Sequence, residues 1–185
     1  ATVVVENTAP VVDSVAIDPS EGVLTSTLLT CAGTGSDVDS DALVSSYVWT
    51  DGDGVELGTA GTLSLSPSVV QPEDVVTCTA TVTDDDGATG VDAVSVTVEN
   101  SAPTASDVVI DPGTDVRTGS LLTCSATVAD ADLETLVPVY SWTDDTAVVL
   151  GDAATLQLSA STVQPGSSVT CTVTVEDGDG ETVSF

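Results

Sequence analysis

The side chains of this sequence that could do chemistry are almost all carboxylates. There are 30 Asp and Glu against one cation, Arg117, giving a net charge of −29, and there is no His. Without His or Lys, the usual general base, proton shuttle and Schiff-base nucleophile are missing. Ser and Thr abound, but a nucleophilic hydroxyl needs a base and an orienting partner. Paired carboxylates such as Asp51 and Asp53 would suit sugar cleavage in a cleft walled by aromatics. The chain holds only five aromatic residues, and Asp51-Gly52-Asp53-Gly54 reads as a turn. No catalytic residue is assigned and no enzyme activity is expected. The charge balance also excludes nucleic acid as a partner, because phosphate binding needs a cationic face. Attraction to anionic lipid fails for the same reason. Direct membrane insertion is not expected, since no apolar run approaches the roughly 18 residues of a span.

Clustered carboxylates can hold a cation. Asp37-x-Asp39-x-Asp41 recurs 93 residues later as Asp130-x-Asp132-x-Glu134, and Asp84 and Asp86 recur as Asp177 and Asp179. The two Asn residues of the chain stand in matching Glu6-Asn7 and Glu99-Asn100 pairs. Calcium takes about six to eight oxygen ligands, and these fourteen side chains form the candidate set. The Asp-x-Asp-x-Asp spacing also opens an EF-hand loop. Here Ala42 stands where that loop needs glycine and Val48 where it needs a bidentate Glu, so an EF-hand is excluded. Two other readings stay open: a halophile-type acidic coat kept folded by salt, and solvated loops with no specific ion. Some screening cation is required in any case, because so many like charges repel one another.

The elements that must position these groups follow from an internal duplication. Residues 8–92 slide onto 101–185 without a gap, and 43 of the 85 pairs are identical. The period of 93 fits one small β-sandwich per repeat. Apolar residues alternate with period two, as in Val76, Cys78, Ala80 and Val82, and the runs are rich in Val and Thr. Asp18-Pro19, Pro67 to Pro72 and Asp86-Gly87 punctuate them. The pattern predicts an all-β chain, with strands in the first repeat near 11–17, 26–33, 44–50, 55–58, 62–66, 74–83 and 89–99. In such a sandwich the loop after the second strand and the last hairpin share the end where the chain enters. The five loop carboxylates of each repeat should therefore gather there, with the linker Glu and Asn arriving beside them.

Each repeat carries two cysteines 47 residues apart, Cys31 and Cys78, then Cys124 and Cys171. Zinc is disfavoured because there is no Cys-x-x-Cys and no His. A disulfide joining the two sheets under Trp49 or Trp142 is the better account, and such bonds persist outside the cytoplasm.

The Cys…Trp…Cys order, with Leu63-x-Leu65 before the second cysteine, resembles the immunoglobulin superfamily. Tyr47-Val48-Trp49-Thr50-Asp51-Gly52-Asp53-Gly54 and Val82-Thr83-Asp84-Asp85-Asp86-Gly87 are similar to the tandem bacterial and archaeal Ig-like and PKD-like modules of large surface proteins. The linkers Val98-Glu99-Asn100-Ser101-Ala102-Pro103 and Val5-Glu6-Asn7-Thr8-Ala9-Pro10 resemble those of cadherin-like arrays. Two departures stand against the antigen-receptor type. Val76 and Val169 occupy the place of its corner tyrosine, and Asp144-Asp145-Thr146-Ala147 replaces the Asp-Gly-Asp-Gly turn.

The expected organisation is a closing strand at 1–7, an Ig-like repeat at 8–100 and a second at 101–185 that lacks its last strand. Residues 1–7 align with 94–100, which close the first repeat. This predicts either a window cut from a longer array or a strand donated to the next molecule. The resemblance implies a non-enzymatic stalk, fibre or filament at a cell surface. Its partners would be copies of itself, adjacent repeats, or cell-surface and matrix components. The alternatives are an adhesin binding a glycan or a neighbouring cell, and an accessory module of a secreted hydrolase.

Overall fold

A computed structural model describes residues 1–185. All its regular elements are strands, and no helix is long and apolar enough to cross a membrane. The chain divides into two compact units, Ala1–Asn100 and Ser101–Phe185.

In unit 1 the strands are β1 (Val11–Asp18), β2 (Leu28–Ser36), β3 (Val44–Thr50), β4 (Glu56–Gly58), β5 (Thr62–Ser64), β6 (Val75–Thr83) and β7 (Thr89–Thr97). They form two antiparallel sheets in the orders β1-β2-β5 and β4-β3-β6-β7. Unit 2 repeats the plan with β8 (Thr104–Asp111), β9 (Leu121–Ala129), β10 (Val139–Asp144), β11 (Val149–Gly151), β12 (Thr155–Gln157), β13 (Val169–Glu176) and β14 (Thr182–Ser184). Its sheets run β12-β9-β8 and β11-β10-β13-β14.

The second strand starts later and runs further than its sequence pattern indicates. A turn closed by Thr27 N–H to the Leu24 carbonyl holds the chain until Leu28. Pairing then continues to Ser36 opposite Val11, because Gly35 leaves room for the Val11 carbonyl and the Val82 side chain.

Alternation decides what the sheets bury. Val76, Cys78, Ala80 and Val82 of β6 all face inward. Trp49 and Trp142 are fully buried, and each indole N–H is satisfied by a loop carbonyl, Ala60 or Ala153, at 2.8 Å. The disulfides Cys31–Cys78 and Cys124–Cys171 join the sheets of their own unit, with Cα separations of 6.4 and 6.5 Å. In the chain-entropy account each such loop closure stabilises by roughly 4 kcal/mol. That matters for units with so few aromatic side chains.

The replaced Asp-Gly-Asp-Gly turn keeps its shape. Asp51 Oδ1 accepts the N–H groups of Asp53 and Val55, and Asp144 Oδ1 accepts those of Thr146 and Val148. Ala147 adopts φ 64° where Gly54 has φ 82°. The Thr146 hydroxyl adds a bond to Asp144 at 2.7 Å and, with the Val148 N–H, holds that carboxyl below its ordinary range.

Candidate metal centre

The loop after β2 and the hairpin after β6 meet at one end of unit 1, as do their counterparts after β9 and β13 in unit 2. The loops are shaped by their own carboxylates. Asp37 Oδ1 accepts the Asp39 N–H at 2.7 Å, and Asp130 Oδ1 accepts the Asp132 N–H at 2.7 Å. The next residue is left-handed in both, Ser40 at φ 66° and Leu133 at φ 65°. This Asx-turn doubles the chain back, so that alternate carboxylates converge instead of fanning out. In the hairpins, Asp84 Oδ1 accepts the N–H groups of Asp86 and Ala88, and Asp177 Oδ1 that of Glu181.

In unit 1 the carboxylate oxygens of Asp37, Asp39 and Asp41 lie within 4.8 Å of one another. In unit 2 the trio is Asp130, Glu134 and Asp177, the counterparts of Asp37, Asp41 and Asp84, so a hairpin carboxylate stands where the first unit uses Asp39. The other predicted residues, and Asp39 of the first trio, also hold neighbouring groups or stand beside the clusters. Asp84 Oδ2 accepts the Asn7 amide at 2.9 Å. Asp39 and Asp132 hold the incoming chain, accepting the Thr8 and Ser101 N–H groups at 2.7 Å in each case. Asp86 and Asp179 are exposed, yet their charges are felt by Asp41 and Asp130 respectively.

The linker pairs behave differently from one another. Glu6 is exposed, and Asn100 is half-buried. Glu99 Oε1 accepts the Gly22 N–H at 2.9 Å, while its own N–H reaches the Val23 carbonyl. That places Glu99 beside the β1–β2 turn, at the opposite end of unit 1 from the Asp37 cluster.

The electrostatics of the clusters follow from burial and from like charges set close together. Burial pushes the Asp41 carboxyl up, and the charges of Asp37, Asp86, Asp39 and Asp84 push it further. Burial also raises Asp130, with Asp132, Asp177 and Asp179 adding to it against the bond from the Asp132 N–H. Asp84 goes the other way because the Asn7 amide and the hairpin N–H groups stabilise its anion. Asp37 Oδ2 and Asp130 Oδ2 are buried with no hydrogen-bond donor. A buried carboxylate oxygen among other carboxylates is costly unless something cationic satisfies it. Such an all-oxygen, all-anionic donor set suits a hard cation of the calcium type.

One feature of unit 2 has no direct signal in the sequence. Glu134 replaces Asp41 and is one carbon longer, and Gly178 replaces Asp85. A Cβ at Gly178 would collide with the Glu134 carboxylate, whose Oε2 accepts the Gly178 N–H at 2.6 Å. The pair of exchanges keeps a carboxylate in the cluster. Aligning the repeats shows both changes, but not that they touch.

No protein-family model matches the chain, and a search of curated proteins also gives no match. Among solved structures, the chain is similar to one concerning carbohydrate-binding modules of the β-sandwich superfamily. That match has 17% identity and a TM-score of 0.40, covering 97% of this chain and 95% of that one. It is also similar to a 1.5-MDa bacterial ice-binding adhesin, at 16% identity and TM-score 0.39, over 97% of this chain and 63% of that one. A tetra-tandem repeat from the extending region of a large adhesion protein matches at 20% identity and TM-score 0.36, over 95% and 48%. Likeness at this level carries no argument about function.

Proposed function

We propose that this chain is a non-enzymatic structural repeat of an extracellular stalk, fibre or filament, and that each of its units holds calcium at the end where the chain enters it. One observation carries the reading. Both units present the same kind of carboxylate cluster with a buried, donorless oxygen, on Asp37 in one and Asp130 in the other. A cluster member in unit 1, Asp39, and a neighbour of the cluster in unit 2, Asp132, also grip the entering backbone, at Thr8 and Ser101 respectively. A bound cation would therefore fix both the loops and the direction in which the chain arrives, which is what a load-bearing array requires.

The surroundings agree. One disulfide per unit suits an oxidising, extracellular setting. Both tryptophans are fully buried, so neither offers the exposed aromatic face on which a glycan stacks. The deciding measurement is a thermal melt with intact disulfides, in calcium and in chelator, at matched ionic strength. A calcium-specific rise in melting temperature is expected for both units. If sodium chloride at equal ionic strength reproduces the rise, the acidity is a salt-adapted coat and the calcium reading is wrong.

A further inference from the structure

The carboxylates are not spread over the sheets. β2, β3, β5, β6, β9 and β12 carry none, and the loops at the strand ends carry most of them. The widest uncharged surface is the outer side of the sheet β4-β3-β6-β7 in unit 1. Alternation puts every second residue there: four positions on β3, five on β6 and five on β7. Seven of these fourteen are Thr, two are Ser, four are Val and one is Ala. Ladder pairing sets them in rows, with Ser46, Thr81 and Val91 in one and Val48, Thr79 and Ala93 in the next. The carboxylate at the rim is Glu56 of β4, across from Thr50. The opposite sheet is less uniform, because exposed Asp18 stands across from Thr30.

Unit 2 repeats the pattern on the corresponding strands. Val139, Ser141 and Thr143 of β10 pair with Thr174, Thr172 and Thr170 of β13 on the outer side, and none is charged. Such a face loses little when it is covered. Val44 and Val91 are 67% and 59% exposed, and each Thr adds a methyl group. The Thr77 and Ser95 hydroxyls bond to each other at 2.8 Å, which lowers the cost of taking them out of water.

Charge decides what can cover it. A cationic partner finds its counter-charge at the carboxylate loops and none on this face. An anionic partner is repelled by a chain of net charge −29. Another copy of the chain is repelled wherever carboxylates confront carboxylates, and on this face they do not. The face is also its own complement. Neutral rows of methyl and hydroxyl groups can meet the same rows at the roughly 10 Å spacing of stacked sheets.

We infer that the outer side of β3, β6 and β7 is a lateral docking surface for the same face of a second copy. The contact is isologous, so it sets two molecules side by side. Fourteen residues fall short of the roughly 20–30 per side of a standard interface, so a single pair is weak and short-lived. In an array every repeat of this kind offers a face, and linked weak contacts add up to a firm one. This rests on the reading of the chain as a structural repeat and names its lateral partner, but it does not depend on calcium.

The test is sedimentation equilibrium of the 185-residue chain in chelator, up to millimolar concentration, at about 0.05 and about 1 M sodium chloride. Monomer of 18.4 kDa is expected at low salt. A monomer–dimer equilibrium is expected at high salt, where repulsion between the acidic bodies is screened. T79D/T81D sets carboxylates against their own copies and should weaken the dimer at least tenfold. T30D/A32D adds the same charge to the opposite sheet and should leave the dimer within twofold. T79V/T81V keeps the shape, replaces hydroxyl by methyl, and should tighten the dimer several-fold. That variant carries the test if the unit 1 melt shows T79D/T81D to be unfolded. A chain that stays monomeric at millimolar concentration in high salt overturns the inference and leaves the face to an uncharged partner of another kind. A dimer weakened equally by T79D/T81D and T30D/A32D, or unmoved by T79V/T81V, also overturns it. Melting in calcium is a separate readout, so failure of the calcium reading leaves this result interpretable.

Discussion

Asp130 offers a test in which the sign of the effect reverses with conditions. Its Oδ1 accepts the Asp132 N–H, its Oδ2 is buried without a donor, and the carboxylates of Glu134 and Asp177 lie within 4.8 Å. The substitution D130N keeps the shape and the Oδ1 acceptor, removes one charge, and gives the neighbouring carboxylates an amide to accept from. A like-charge pair at 4.8 Å costs about 0.9 kcal/mol at the dielectric of water and about 3.5 kcal/mol at an effective dielectric of about 20. Asp130 is only half-buried, so the lower figure governs, and roughly 1 kcal/mol of repulsion is relieved. In chelator the unit 2 melting temperature should therefore rise by about 4–8 °C, the usual response of a domain of this size. In calcium the order reverses. A site filled at a hundredfold excess over its dissociation constant stabilises by about 2.7 kcal/mol, and losing a charged ligand removes most of that. Calorimetry should show D130N above the native chain in chelator and below it in saturating calcium, with the unit 1 transition unmoved. A mutant that is less stable in both conditions, or equally stable in both, would refute the reasoning.

The same charges predict a pH response. Asp41 and Asp130 have carboxyls raised above 3.8 in the folded state. The folded chain therefore binds protons more readily at these sites than the unfolded chain, and stability rises as pH falls through their raised values. Asp84 and Asp144 are lowered, and their contribution is present above 3.8 and lost as pH falls through their folded values. Metal-free protein melted from about pH 7 downward should gain stability before losing it, whereas calcium-loaded protein should only lose it as protons displace the ion. Parallel curves with and without calcium would contradict this. Reduction of Cys31–Cys78 or Cys124–Cys171 should lower the stability of that unit by roughly 4 kcal/mol, measured by urea melts of C31A/C78A and C124A/C171A; an unchanged midpoint would show that the disulfide is not what holds the sheets together.

Strand positions were legible in the sequence because alternation with period two and an exact tandem copy report on the same thing. A residue such as Val76 or Val82 that alternates inward in one repeat does so again in the other. The disulfides followed from cysteines at matched positions on facing strands, with Trp49 and Trp142 between. Convergence of the loop carboxylates was legible because the topology places those loops at one end. Contacts made by backbone N–H groups were not. The engagement of Glu99 with Gly22 depends on a left-handed turn at φ 64°, and side-chain type alone does not say where a carboxylate will find a donor. The fit of Glu134 against Gly178 was hidden for a related reason, since it joins loops 44 residues apart in the chain.

The divergence between the repeats bears on the choice between the proposed cation site and a general acidic coat. A coat constrains composition, so acids would be free to move about the surface as the copies drifted apart. Here the loop turns persist while their residues change: Ala147 takes the left-handed place of Gly54, and Leu133 that of Ser40. Where Asp41 becomes Glu134, Asp85 becomes Gly178, whose N–H donates to the longer side chain. In both units a buried oxygen of the first Asp stays without a donor. An uncompensated buried carboxylate oxygen costs stability in either copy, and drift could have removed that cost by substituting a neutral residue. Its presence in both copies, amid changes of the surrounding residues, supports the proposed ion site over bulk salt adaptation, and the melt in calcium against matched sodium chloride decides between them.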